Sequence, residues 1–189
     1  MRKASKTTIF LILLILLAVF LFNIAGFFIK FLYPLKYEDS IFKHSKENGL
    51  NPYFVMAVIK AESNFDPKAH SGIARGLMQI TDSTAEWIAD KMNIEFEPND
   101  IENPEINIKM GCYYLKYLFE LYHDDTLVLA SYNAGMGNVS KWLNDDSLSK
   151  DSQTLEHIPY SETRGYVEKV IRYERIYKKI YGNRVAQKA

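Results

Sequence analysis

The strongest pattern along the chain is a long apolar run near its start. From Ile9 to Ile29, Asn23 is the one strongly polar residue. As an α-helix with a rise of ~1.5 Å per residue, this run is roughly 31 Å long, enough to cross the hydrocarbon core of a bilayer. The pattern predicts a single transmembrane helix.

After this run, apolar positions recur at helical spacing, and no segment shows convincing alternation with a period of two. The pairs Asn51-Pro52 and Asn103-Pro104 each supply an N-cap followed by a proline at the first helical position. Residues 66–80 contain one proline and two glycines, which predicts an irregular loop with at most a small hairpin. The fold class is therefore mainly α. The predicted helices cover roughly residues 37–49, 52–62, 81–92, 104–124, 126–135, 137–143 and 162–181.

Charge and cysteine content narrow the function classes. The chain has 189 residues and a formal net charge of zero, which disfavours nucleic acid as a partner. Cys112 is the single cysteine, so an internal disulfide and a cysteine-rich metal site are excluded. The sequence predicts no particular protein partner.

The charges that flank the apolar run predict its orientation. Arg2, Lys3 and Lys6 precede it without any nearby acidic residue, which places the N-terminus in the cytoplasm and the rest of the chain outside. A cleaved signal peptide is the alternative, but the run is long for one and no clean A-x-A site follows. No cysteine follows closely either, which disfavours a lipoprotein anchor. The expected organisation is a basic N-terminus and single-pass signal anchor at 1–30, a tether at 31–36, one extracytoplasmic domain at 37–182 and a polar tail at 183–189.

Glu62 is an unusual residue for its position. It follows Val55, Val58 and Ile59 at helical spacing, so its carboxyl group lies on the apolar stripe of the predicted helix. Desolvation and the negative end of the helix dipole both disfavour the ionised form. This arrangement predicts a carboxylic acid that stays protonated near neutral pH and can donate its proton. The spacing equally allows the helix to fray at its end, leaving Glu62 in water.

Three further motifs carry polar residues among apolar ones, namely GLMQI, ASYNAGMGNV and IPYSETRGYV. Gln79 offers a donor and an acceptor, suited to a sugar hydroxyl or an amide, but such residues are often satisfied structural amides. Tyr132 can stack on a sugar, yet it can also be plain core packing. Glu162 can serve a site or simply compensate the dipole at the start of the last helix.

Taken together and in order, the strings AESNFDPKAHSGIARGLMQI, NPEINIKMGCYYL, ASYNAG and IPYSETRGYV resemble the catalytic domain of the soluble lytic murein transglycosylases, glycoside hydrolase family 23. The resemblance spans about residues 37–181. It implies a lysozyme-like (α+β) fold, a helical bundle around a glycan-binding cleft. It also implies that Glu62 is the single catalytic acid/base. The residues that it places along the cleft are Ser71, Gln79, Tyr132, Asn133 and Glu162, and of these it implies that Tyr132 contacts or orients the Glu62 carboxyl group.

The resemblance further implies the substrate and the reaction, and it implies neither a metal nor an organic cofactor. The partner would be a peptidoglycan glycan strand, cleaved between N-acetylmuramic acid and N-acetylglucosamine to leave a 1,6-anhydro end, in wall remodelling or turnover. Residues 9–29 would hold the enzyme in the bacterial cell membrane. Two alternatives stay open: a goose-type lysozyme that uses water with help from Asp66 or Asp82, and a non-catalytic peptidoglycan-binding module tethered at the membrane.

One departure from the family pattern is visible. GLMQI is frequently followed by Met-Pro in the family, whereas Thr81 and Asp82 follow it here. Aspartate is also favourable in the first turn of a helix, so we expect the helix start to be preserved. Loss of a methionine from the cleft would affect substrate affinity more than catalysis.

Overall fold

The computed structural model describes residues 6–182. Arg2, Lys3 and the polar tail expected at 183–189 lie outside the described residues. The described chain forms two compact units, with the boundary between Lys36 and Tyr37.

The first unit is one helix, α1, which spans Lys6–Leu32 and has no buried residue. It is the one helix within residues 6–182 that is long and apolar enough to cross a membrane. It extends beyond the apolar run at both ends. Residues 31 and 32, expected in the tether, therefore form the last turn of α1, because nothing before Pro34 interrupts the helix.

The second unit is a bundle of helices with a very small sheet. A short 3₁₀ helix at Pro98–Glu102 lies between the fourth and fifth helices. The helices are α2 (Glu38–Glu47), α3 (Pro52–Ser63), α4 (Asp82–Met92), α5 (Pro104–Tyr122), α6 (Asp125–Ala134), α7 (Met136–Leu143) and α8 (Ser161–Tyr181).

The sheet is antiparallel and has three strands in the order β1-β2-β3. The strands are β1 (His70–Ser71), β2 (Ala74–Arg75) and β3 (Ile80–Thr81). The sequence predicts at most a hairpin here, and the third strand is not foreseen. Strands of two residues are too short to show alternation, so only the paired backbone reveals them.

The predicted helix starts are confirmed by side-chain caps. Asn51 and Asn103 each accept a hydrogen bond of 2.9 Å from the backbone N–H two residues further on. Thr81 caps α4, and Asp124 caps α6. These caps set where the elements begin, and therefore where the polar residues at their ends lie.

Helix α3 lies at the centre of the unit. Seven consecutive residues, from Tyr53 to Ile59, are buried, so the helix is surrounded on every face over two turns. Its most extensive packing partner is α8. The carboxyl end of this central helix carries Glu62, which is consequently held among other elements of the bundle.

Candidate active site

Glu62 lies in a well-held last turn of α3. The helix continues through Ser63 and ends at Asn64, whose backbone is left-handed with φ 52°. The Ser63 hydroxyl donates to the Leu77 carbonyl at 2.7 Å and lies 3.1 Å from the Ile59 carbonyl. These bonds join the end of α3 to the GLMQ segment, so the turn that carries Glu62 does not fray.

Burial controls the protonation of Glu62. Desolvation raises the pKa of its carboxyl group from 4.5 to about 7, and this effect outweighs the opposing contributions of Tyr166 and the positive charge of Lys169. The negative end of the α3 dipole also disfavours ionisation. A substantial share of the Glu62 side chains therefore keeps its proton near neutral pH, which is the property required of a general acid.

Two tyrosines from different helices lie around this carboxyl group. Tyr132 of α6 donates its hydroxyl to the Met78 carbonyl at 2.7 Å, rather than to Glu62. The Tyr166 hydroxyl of α8 is buried and makes no well-aligned hydrogen bond within residues 6–182. Burial first, and then the negative charge of Glu62, raise the pKa of both phenols. Both tyrosines therefore stay neutral and can act as hydrogen-bond donors.

Tyr166 is a site residue that sequence reasoning missed. It lies four residues after Glu162 in the motif IPYSETRGYV, one helical turn further along α8. That spacing places both residues near one face of the helix, and this was the available signal. Because Glu162 is exposed and Tyr166 is buried, the inner residue of the pair is the one that reaches Glu62.

Ser71 and Gln79 are brought together by the small sheet. The Gln79 amide nitrogen donates to the carbonyls of Ala69 and Gly76, each at 2.9 Å. Its amide oxygen accepts from the Ser71 hydroxyl at 2.6 Å. Most of the hydrogen-bonding capacity of Gln79 is thus used to hold the loop, while its side chain still lines the concave surface next to α6.

Asn107 of α5 is a second residue that the sequence did not reveal. It is fully buried; its oxygen accepts from the Met78 amide at 2.8 Å, and its nitrogen donates to the Ile101 carbonyl at 2.8 Å. A side chain at Gly76 would place its Cβ 2.3 Å from this nitrogen. Asn107 therefore fixes the GLMQ segment to α5 and explains why a glycine begins that motif. A single buried amide leaves no periodic signal in the sequence.

The remaining predicted residues line two neighbouring concave surfaces. Gln79, Tyr132 and Asn133 border the first. Asn133 and Glu162 border the second, between the end of α6 and the start of α8. Asn133 belongs to both, so these surfaces adjoin at the end of α6.

The departure at Thr81 and Asp82 is accommodated locally. Thr81 caps α4, accepting from the Thr84 amide at 3.1 Å, and Asp82 forms an ion pair with Arg75 of β2. Asp66 accepts a hydrogen bond of 2.9 Å from the Lys68 amide, a turn arrangement. Both aspartates considered as partners of Glu62 are thus engaged elsewhere.

Comparison of the sequence with protein-family models gives two matches. The model described as "Transglycosylase SLT domain" matches residues 39–155, which is more than half of the chain. The chain belongs to the SLT transglycosylase domain family. A second model, "Soluble lytic transglycosylase helical domain", matches residues 157–185.

Curated relatives of this SLT domain include soluble and membrane-bound enzymes. The chain is 34% identical over 159 residues to the soluble lytic murein transglycosylase of Salmonella typhimurium, covering 82% of this chain and 25% of that protein. It is 29% identical over 169 residues to the membrane-bound lytic murein transglycosylase C of Serratia proteamaculans, covering 76% of this chain and 47% of that protein. The chain thus spans about a quarter of the length of the soluble relative.

Solved structures show the same fold. The 70 kDa soluble lytic transglycosylase of Escherichia coli superposes with a TM-score of 0.72 at 31% identity, covering 82% of this chain and 26% of that one. An inactive mutant of the lytic transglycosylase Slt of Pseudomonas aeruginosa, with one glutamate changed to glutamine, superposes with a TM-score of 0.69 at 30% identity, covering 78% and 24%. The mainly α, lysozyme-like fold expected for the SLT domain is confirmed.

Proposed function

We propose that this chain is a peptidoglycan lytic transglycosylase that cleaves the β-1,4 bond between N-acetylmuramic acid and N-acetylglucosamine, with Glu62 as its single acid/base. Membership of the SLT family and the names of its relatives support the reaction class. The observation that carries the proposal is the place of Glu62 in the last turn of α3, which Ser63 fixes to the GLMQ segment and where burial raises the pKa of the carboxyl group to about 7. A carboxyl group with this pKa can both give and take a proton near neutral pH.

The mechanism follows from one carboxyl group used twice. Protonated Glu62 donates its proton to the bridging oxygen while the bond from that oxygen to C1 of the muramyl residue breaks. The acetamido group of the substrate stabilises the positive charge that develops at C1. The Glu62 carboxylate then takes the proton of the muramyl 6-hydroxyl, whose oxygen forms the new bond to C1. The product is a 1,6-anhydro ring, and Glu62 ends protonated as it began.

An intramolecular nucleophile explains why a second carboxylate is unnecessary. Retaining and inverting glycosidases use two carboxyl groups, one of them as a nucleophile or to activate water. The 6-hydroxyl is held next to C1 by the sugar itself, which gives it a large proximity advantage over water. The engagement of Asp66 in a turn and of Asp82 with Arg75 disfavours the goose-type hydrolase.

The residues around Glu62 would bind the glycan strand and orient the Glu62 carboxyl group. Tyr166 is placed to donate its hydroxyl to the Glu62 carboxylate once the proton has left, while Tyr132 holds the Met78 carbonyl. We assign Gln79 and Asn133 to one part of the glycan cleft, and Glu162 to the part beyond Asn133. Ser71 would act through its hydrogen bond to Gln79.

Attachment to the membrane is consistent with α1 and with the membrane-bound relative. We propose a finer arrangement: a single pass, with the basic N-terminus in the cytoplasm and residues 37–182 outside. The short segment between α1 and α2 would keep the SLT domain near the membrane face of the wall.

Mass spectrometry of products from purified peptidoglycan tests the proposal. The full-length chain in detergent should release muropeptides with anhydro ends, and Glu62→Gln should lower kcat by several orders of magnitude because both the acid and the base are lost. Products that are one water heavier would establish hydrolysis instead. Comparable kcat values for the two proteins would exclude Glu62 as the acid/base.

A further inference from the structure

Lys169 of α8 reaches the last turn of α3. Its ammonium group lies 3.4 Å from the carbonyl oxygen of Ala61, the residue that immediately precedes Glu62. The last four carbonyl groups of a helix lack partners within the helix. A cation at this end is also favoured by the helix dipole. The contact therefore joins α8 to the backbone that carries the candidate acid.

The same ammonium group also covers Tyr166. It lies 5.7 Å from the centroid of the Tyr166 ring. The two residues are three positions apart on α8, so their side chains lie on neighbouring parts of one helical face. A cation at this distance from an aromatic ring is attracted to its π face. Lys169 thus contacts both the backbone before Glu62 and the ring of Tyr166, a tyrosine that acts on the Glu62 carboxyl group.

The charges and titratable groups that act on Glu62 come from two neighbouring helices. Tyr132 of α6 is neutral and turned towards Met78. Tyr166 and Lys169 of α8 both act on the carboxyl group, and the charge of Lys169 favours its ionised form. On α3 itself, Lys60 binds the Asn64 side chain at 2.9 Å. Lys169 is therefore the cation whose charge stabilises an ionised Glu62.

A residue that acts as both acid and base must be low enough in free energy in its protonated and in its ionised form. Burial alone would make the carboxylate that remains after proton donation energetically costly, because a desolvated charge needs a partner. A nearby ammonium group offsets part of that cost without forming a tight ion pair that would keep Glu62 permanently ionised. Lys169 occupies the position that meets this requirement.

We propose that Lys169 is a positioning residue for Glu62, fixing the last turn of α3 against α8 and stabilising the carboxylate that forms when Glu62 gives up its proton. The inference rests on the proposed role of Glu62 as acid/base. It adds to the site a charged residue from the last helix of the domain.

Two substitutions separate the charge of Lys169 from its bulk. Lys169→Met keeps most of the aliphatic stem and removes the charge, whereas Lys169→Arg keeps the charge. We would titrate the Glu62 side-chain carboxyl by ¹³C NMR in the full-length chain in detergent, assigning the signal with Glu62→Gln. The midpoint should rise by about half a pH unit or more in Lys169→Met and stay near the wild-type value in Lys169→Arg. Lys60→Met, which removes a cation from α3 itself, should leave it unchanged.

Turnover provides a second readout. In Lys169→Met the alkaline limb of the kcat/KM profile should move to higher pH by the same amount as the Glu62 titration midpoint, because the reaction starts from protonated Glu62. At a pH below the midpoint, kcat should fall about tenfold, since stabilisation of the carboxylate is lost. Lys169→Arg should restore most of this loss.

The outcomes distinguish the two proposals. If Lys169→Met lowers the melting temperature while the Glu62 midpoint stays unchanged, Lys169 is only structural and the inference is overturned. If the wild-type chain yields no anhydro products, the proposed function fails. The NMR titration does not depend on turnover, so in that case it still decides whether Lys169 stabilises ionised Glu62.

Discussion

At the scale of single residues, Glu62 depends on groups that are far apart in the chain. The sequence placed it at helical spacing from Val55, Val58 and Ile59, which the structure buries, because that spacing is a local property of the helix. It could not show that Tyr166 and Lys169 act on the carboxyl group, since those contacts arise from the packing of α8 on α3. The assignment of Tyr132 as the residue that orients Glu62 stays a prediction, although its hydroxyl bonds to the Met78 carbonyl in the structure.

The raised pKa of Glu62 has a consequence for stability. The folded state holds this proton up to a pH of about 7, whereas the unfolded chain releases it near 4.5. Because the folded pKa is the higher one, ionisation destabilises the fold increasingly as pH rises through this interval. Glu62→Gln removes this penalty. We expect the variant to be more stable than wild type at pH 8, by at most about 3.5 kcal/mol at about 1.4 kcal/mol per pKa unit.

Thermal melting of both proteins at two pH values checks this expectation. At pH 4 both side chains at position 62 are neutral, so the melting temperatures should nearly coincide. At pH 8 the variant should melt at the higher temperature. A difference that is the same at both pH values would show that burial of the carboxyl group is not its cause.

Tyr132 gives a second prediction at this scale. Its hydroxyl holds the Met78 carbonyl at 2.7 Å, and removing one hydrogen bond from a partly buried group costs ~1–3 kcal/mol. Tyr132→Phe should therefore lower kcat/KM about tenfold to a hundredfold. Circular dichroism should show an unchanged helical content. An unchanged kcat/KM would remove Tyr132 from the site.

At the scale of secondary-structure elements, the residues at helix boundaries were the reliable signals. Asn51 and Asn103 mark helix starts because an N-cap bonds within its own first turn. Strand β3 was not predictable, because it exists only through its backbone pairing with β2. The anchoring role of Asn107 was not predictable either, because it depends on α5 and the GLMQ segment meeting in space. Elements with local causes were therefore foreseen, and elements created by tertiary contacts were not.

Two glycines of the small sheet offer a matched test of this packing. Gly76 has φ +78°, and an added Cβ would lie 2.3 Å from Asn107 Nδ2 and 2.9 Å from the Ile101 carbonyl oxygen. Gly72 has a similar φ of +63° but open space around it. Both alanine variants carry backbone strain of about 1–3 kcal/mol. Only Gly76→Ala must also displace the buried amide.

Urea unfolding measures the difference. Gly76→Ala should lose about 2 kcal/mol or more of unfolding free energy beyond Gly72→Ala, in the range for disturbing a buried hydrogen-bonded group. Gly76→Ala should also lower kcat, because Asn107 holds the backbone of Met78 in place and a displaced Asn107 would move Met78 and Gln79. Equal losses for the two variants would mean that backbone strain alone matters and that Asn107 does not fix the segment.

At the scale of the whole molecule, the candidate site draws on segments spread over more than a hundred residues. Glu62, Tyr132 and Lys169 come from α3, α6 and α8. None of these helices carries the site alone, and the final helix contributes both Tyr166 and Lys169. The site therefore requires the complete bundle, and a truncation within α8 removes it even though Glu62 is retained.

The length and exposure of α1 predict that it attaches the protein to a membrane. No residue of α1 is buried in the protein. Its 27 residues at ~1.5 Å each make a helix of roughly 40 Å, longer than a bilayer core. A soluble chain would expose this entire surface to water. We therefore expect the protein to stay with membranes after an alkaline carbonate wash and to be released by detergent.

A pair of charged substitutions tests whether hydrophobicity is the cause. An arginine near the centre of a membrane helix disfavours insertion by ~2.5–3.5 kcal/mol, so Leu17→Arg combined with Leu21→Arg should shift much of the chain to the soluble fraction. The matched variant Leu17→Ala with Leu21→Ala keeps the helix apolar and should stay with the membrane. Release of the wild-type chain by carbonate would contradict attachment through α1. It would then place the SLT domain free of the membrane, where the proposed position close to the inner face of the wall no longer holds.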